Sequence, residues 1–127
     1  MLTCDGLSLT DLARTVGTPG HIYSGALIAE RLEALRSAFA GDHAYIHYAI
    51  KANATLGIVR LLRRLGARAD ANSGGEMEVA LRAGYAPSEI VFTGVGKTPA
   101  ELERAVSLGL HATVSYTHLT LPTSDLV

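Results

Sequence analysis

The chain has two lysines, Lys51 and Lys97, and they stand in different settings. Lys51 closes the apolar run of "HYAIKANATLG", His47 to Gly57. The run reads as a strand that buries Tyr45, Ile46, Tyr48, Ala49 and Ile50 and ends in a cation. A lysine at that place is partly desolvated, which disfavours the ammonium and frees the amine as a nucleophile. A neutral amine condenses with an aldehyde to an imine, the chemistry by which pyridoxal phosphate is held. Position alone also allows a plainer role, a lysine that caps a strand and snorkels to water. Lys97 lies just before a helix N-cap and reads as a solvated loop cation.

The other polar side chains carry less. Asp70, in "RADAN", sits at the end of the next strand, where a carboxylate is either a site residue or an ordinary polar strand end. Ser73 is explained by capping. Gly74 and Gly75 open a helix, a place where anions bind, but they read as helix-start packing. The five histidines show no metal-ligand spacing, and His47 is assigned no chemistry.

These residues must be positioned by alternating strands and helices. A first helix, "LTDLARTVGTP", has Thr10 as N-cap and Gly17 as stop. "GHIYS" is a short strand candidate. "SGALIAERLEALRSAFAG" follows, with Leu27, Ile28, Leu32, Leu35 and Phe39 on one face and Gly41 closing it. A strand from His43 leads to Lys51. "TLGIVRLLRRLG" is a helix capped by Thr55 and ended by Gly66, and "ARADAN" is a strand. "SGGEMEVALRAG" is a helix with a Ser73–Glu76 capping box. "SEIVFTG" is a strand, "TPAELERAVSLG" a helix with a Thr98–Glu101 box and Pro99 at its first turn, and "LHATV" begins another strand. Strands joined by helices of this length make right-handed crossovers and a parallel sheet. In such sheets function gathers at the carboxyl ends of the strands. A doubly wound sheet and a (β/α)8 barrel both satisfy the pattern. A complete barrel takes about 250 residues, so 127 residues hold about half of one.

Composition narrows the field. The net charge is −1, from 11 basic and 12 acidic residues. That leaves no basic surplus for nucleic acid or an anionic membrane. No apolar run is long enough to span a bilayer, and the N-terminus lacks the basic start of a secretory signal. One cysteine, Cys4, precludes an internal disulfide and fits a reducing, cytoplasmic setting.

"YAIKAN", "GARADANSGGEMEVALRAGY" and "IVFTGVGKTPAELERAVSLG" together resemble the fold-type III pyridoxal-phosphate-dependent decarboxylases. Within them they are most similar to the N-terminal part of the diaminopimelate decarboxylases. The resemblance covers roughly Gly17 to Thr113. It implies an α/β fold, the N-terminal part of a (β/α)8 barrel of the alanine racemase/ornithine decarboxylase type, with a β-rich domain beyond it. It implies pyridoxal 5'-phosphate bound covalently through Lys51, with Asp70 near the cofactor and the lysine and Ala49 against its ring. It further implies decarboxylation of the amino-acid substrate meso-diaminopimelate to L-lysine by a homodimer. Ornithine and arginine decarboxylases stay open, although they usually carry cysteine where Ala52 stands. So does an alanine racemase-like activity, although "TLGI" replaces the family's Tyr-Gly-His-Gly run. A non-catalytic pyridoxal-phosphate-binding homologue, or a truncated chain that pairs with a full-length partner, is the non-enzymatic alternative.

The expected organisation is a partial barrel over residues 1–113, a non-native tail over 114–127, and no C-terminal β domain. The family's ring-stacking histidine, glycine-rich phosphate loop and ring-nitrogen acid have no counterpart in these residues. The isolated chain is therefore expected to be inactive, and aggregation-prone or molten through its uncovered sheet. "VSYTHLTLPTSDLV" resembles the translation of a transposon-end adaptor used in sequencing libraries. Resequencing the source DNA with an adaptor-free library should then replace the codons after Thr113 with a continuing barrel frame. Recovery of the same codons would refute the adaptor origin.

Overall fold

In the computed structural model, residues 2–39 and 44–114 are described. The chain divides into two compact units, Met1–Asp42 and His43–Val127.

In the first unit, β1 (Thr3–Cys4) and β2 (Leu7–Ser8) form an antiparallel hairpin that leads into α1 (Leu9–Val16). The cap of α1 is Ser8, whose hydroxyl accepts from the Asp11 amide at 3.4 Å, and not Thr10, which lies inside the helix. Gly17 ends it with φ +86°, as expected. "GHIYS" is not a strand: residues 20–23 are irregular. Its serine is drawn into a helix start instead. Ser24 caps α2 (Gly25–Ala38), accepting from the Leu27 amide. The Asp5 carboxylate accepts from the Ser24 hydroxyl at 2.5 Å and from the Ala26 amide at 3.1 Å. These bonds hold the Asp5 carboxyl below its ordinary range, as a charge at a helix N-terminus should be. Of the apolar face expected on α2, only Leu32 is buried; Leu27, Leu35 and Phe39 are about half exposed. Gly41 lies outside the described residues.

The second unit is a four-stranded parallel sheet in the order β3-β4-β5-β6. Its strands are β3 (His47–Ala49), β4 (Arg68–Ala71), β5 (Ile90–Phe92) and β6 (Ala112–Thr113). Between them run α3 (Leu56–Arg64), α4 (Gly74–Ala83) and α5 (Pro99–Leu108). The strand before Lys51 is shorter than expected. Tyr45 is 67% exposed, its ring lying under the Arg68 guanidinium, and Ile50 belongs to a 3₁₀ turn over Ile50–Ala52. His43 lies outside the described residues.

The sheet has two unlike faces because side chains alternate along each strand. Ala69, Ala71, Ile90 and Phe92 are fully buried. With Ile50, Val59, Met77 and Ala80 they form a dry core beneath the helices. The alternate row, Ala49–Asp70–Val91–Ala112 in register, is only half-buried. The covered face thus has a packed core. The half-buried face is where association between copies is expected.

On that face His47 stacks against His111, ring centroids 6.4 Å apart. Burial holds the His47 pKa below its ordinary 6.5; Arg68 and His111 push the same way, and Asp70 and a hydrogen bond at Tyr45 oppose them. A histidine whose pKa is depressed by folding contributes stability above 6.5 that is lost as pH falls through the folded value. Urea unfolding of the wild-type chain should therefore weaken as pH drops below 6.5, and His47→Asn should weaken less. Equal pH slopes for the two proteins would refute this role.

Candidate functional site

The carboxyl ends of the four strands enclose an open cleft of about 550 Å³ lined by Lys51, Asp70, Asn72, Thr93, Gly94, Val95 and Val114. Lys51 leaves β3 on the 3₁₀ turn, and the turn is held from below. The Tyr48 hydroxyl donates to the Asn53 carbonyl at 3.1 Å, and the Asn53 side chain accepts from the Thr55 amide at 2.9 Å. Thr55 is the residue before α3, as expected, but its own hydroxyl makes no cap bond.

The structure brings two of the three expected site residues, Lys51 and Asp70, to one cleft. Ala49 is not part of its lining; it is Asp70's neighbour across β3 and β4. The desolvation expected of Lys51 is absent: its side chain is exposed. The reason is topological. Among the described residues β3 is paired on one side only, by β4, and the turn lifts Lys51 off the sheet's end.

Asp70 is tied in place by two residues that the sequence reading missed. The Thr93 hydroxyl donates to Asp70 Oδ1 at 2.6 Å and accepts from the side-chain amide of Asn72. The signal was available in the strand period: Asn72 is two residues beyond Asp70 and so shares its face. Pairing of Ala71 with Phe92 sets Asn72 beside Thr93.

The helix starts behind the cleft are closed by carboxylates. Ser73 caps α4 by accepting from the Glu76 amide at 3.2 Å. The returning Glu76 carboxylate accepts from the Asn72 amide at 2.8 Å, not from Ser73 as the expected box required. The Thr98–Glu101 box on α5 is complete. Glu101 does more: its Oε1 also accepts from the Gly74 amide at 2.8 Å. Hydrogen bonds from Thr98 and Gly74 hold its carboxyl below the ordinary range. The Gly74 amide is thus already satisfied by a carboxylate of the chain, in keeping with helix-start packing.

Lys97 overturns its expectation most sharply. It is 7% exposed, not solvated, with its ammonium donating to the Gly94 carbonyl at 2.6 Å and to the Val114 carbonyl. The chain folds back at Gly94 and Gly96, both with positive φ, and carries Lys97 inward.

A parallel sheet with an accessible lysine and a braced carboxylate at its strand ends defines a class, α/β proteins that can hold an aldehyde cofactor through an amine. Residues 25–120 match the family described as "Pyridoxal-dependent decarboxylase, pyridoxal binding domain". The chain belongs to that family, whose cofactor is pyridoxal 5'-phosphate, and its βα units are those of the N-terminal part of a (β/α)8 barrel. It is 51% identical over 105 residues to a diaminopimelate decarboxylase of Aquifex aeolicus, covering 83% of this chain and 24% of that one. It is 42% identical over 110 residues to the Pseudomonas aeruginosa diaminopimelate decarboxylase, covering 87% and 26%. The crystal structure of Helicobacter pylori diaminopimelate decarboxylase complexed with L-lysine superposes with a TM-score of 0.79 at 38% identity, covering 88% of this chain and 29% of that one. The chain spans about a quarter of the length of these curated relatives.

Gly94 tests the geometry. Its φ is +98°, and a Cβ there would lie 3.2 Å from the Asn72 carbonyl and 3.3 Å from its amide nitrogen. Gly94→Ala should cost about 1–2 kcal/mol through the left-handed backbone alone, measured by urea unfolding. It should also displace Asn72 from Thr93. A substitution without effect on stability would contradict this backbone.

Proposed function

We propose that Lys51 is the covalent anchor of pyridoxal phosphate and that the whole protein to which these residues belong converts meso-diaminopimelate to L-lysine and carbon dioxide. The observation that carries this is the meeting of Lys51 and Asp70 in one cleft at the strand ends. The residues fit the group: an exposed amine in an open cleft can reach an aldehyde. When bound, the cofactor supplies an electron sink for the pair left behind when carbon dioxide departs from the α-carbon.

The chain's own residues do the rest. Lys51 supplies the nucleophilic nitrogen. Asp70, its Oδ1 accepting from Thr93, is a carboxyl group held in place in the same cleft. Ala49 keeps the row next to Asp70 small. Identity to diaminopimelate decarboxylases favours that substrate over ornithine or arginine. Among the described residues no helix is long and apolar enough to cross a membrane. A homodimeric cytoplasmic enzyme of lysine biosynthesis, without nucleic-acid partners, is the setting this reading implies.

Borohydride reduction in the presence of pyridoxal phosphate, followed by peptide mass spectrometry, tests the anchor. Lys51 should carry the adduct, Lys97 should not, and Lys51→Ala should abolish capture. Carbon dioxide release from diaminopimelate by this chain alone should be undetectable. An adduct on Lys97, or none on either lysine, would overturn the assignment.

A further inference from the structure

We propose that Lys97 is a positioning residue whose buried ammonium clamps the wall of the Lys51–Asp70 cleft; this deepens the reading above and rests on it. Among the described residues, Lys97 is the one buried residue that carries a charge. Burying an ammonium is costly unless its donors are engaged. Two of them are, by main-chain carbonyls of different segments: Gly94, in the loop after β5, and Val114, just past β6. The ammonium also sits 5.1 Å from the centre of the Phe92 ring, a favourable cation–π placement.

Both carbonyls belong to residues that line the cleft. Gly94 in turn abuts Asn72, and the preceding residue, Thr93, is the one that donates to Asp70. The ammonium therefore holds together two walls of the cleft, and through Thr93 it fixes the carboxylate that shares the cleft with Lys51. Compensating charge comes from Glu101, one helical turn away, whose carboxylate feels Lys97 and bonds the Gly74 amide. Two strand-to-helix junctions and the end of β6 are thus linked around one buried cation. Because the acceptors are backbone carbonyls, the clamp does not depend on which side chain stands at position 114.

The two lysines make the test direct. In the native chain an amine-acylating reagent should label Lys51 at least about tenfold faster than Lys97, and equally fast in denaturant. Lys97→Met should leave the far-UV spectrum unchanged but weaken pyridoxal-phosphate capture at Lys51 by about tenfold, the effect of losing charged hydrogen bonds. Lys97→Arg, which keeps a donor cation, should recover part of that loss. Leu62→Ala, which destabilises the core away from the cleft, should not change capture by the folded fraction. Amide exchange across Thr93–Gly96 should rise about tenfold in Lys97→Met with no cofactor present. Native labelling of Lys97 as fast as Lys51, or wild-type capture and exchange in Lys97→Met, would overturn the clamp. Protected Lys97 and faster exchange in Lys97→Met, but no capture on Lys51, would support the clamp and overturn the cofactor reading instead.

Discussion

The period-two alternation of β4 is the constraint on which the rest depends. Arg68, Ala69, Asp70 and Ala71 point to opposite faces in turn, and the burial follows them residue by residue. The alanines give the core side chains too small to hold the helices away from the sheet. The same step places Asp70, and then Asn72, on the other face at the strand's end. A register shift of one residue would drive a carboxylate into the dry core and expel the alanines. Packing and chemistry are therefore fixed by the same four residues.

The polar residues at the strand ends are arranged in chains rather than pairs. Asp70 is held by Thr93, Thr93 by Asn72, and the Asn72 amide by Glu76. Glu101 joins the first turns of α4 and α5. The Glu76 and Glu101 links satisfy backbone amides at helix starts. Linkage of this kind makes the loops between strands and helices behave as one rim. It is a reasonable way to hold a carboxylate at a strand's end and an amine on a short turn in one cleft.

Legibility in the sequence followed the range of the interactions. The helices α3, α4 and α5, and the stop of α3 at Gly66, were readable because caps and helical periods are local. The parallel sheet was readable from the alternation of elements. Lys51 and Asp70 stood out by residue type and place. What could not be read required contacts between distant segments. The bond that anchors Ser24 at the start of α2 was not readable because its partner, Asp5, is nineteen residues away. Glu76 missed its expected box partner by one residue because Asn72 offered a better-placed amide. Thr93 drew no notice within "SEIVFTG" until β5 was laid beside β4.

The two lysines show why residue type and local sequence fall short of function. Both follow a parallel strand, and both were assigned from the few residues around them. Lys51, expected to be desolvated, lies exposed because its strand is paired on one side and a turn lifts it clear. Lys97, expected in water, is buried because two positive-φ glycines turn its loop inward to backbone carbonyls. An amine whose donors are engaged by backbone carbonyls is poorly placed to attack an aldehyde, whereas one open to a cleft can be reached from solution. The fold thus separates the two amines by access: one is left free to bond a ligand, and the other holds the walls between which that ligand would sit.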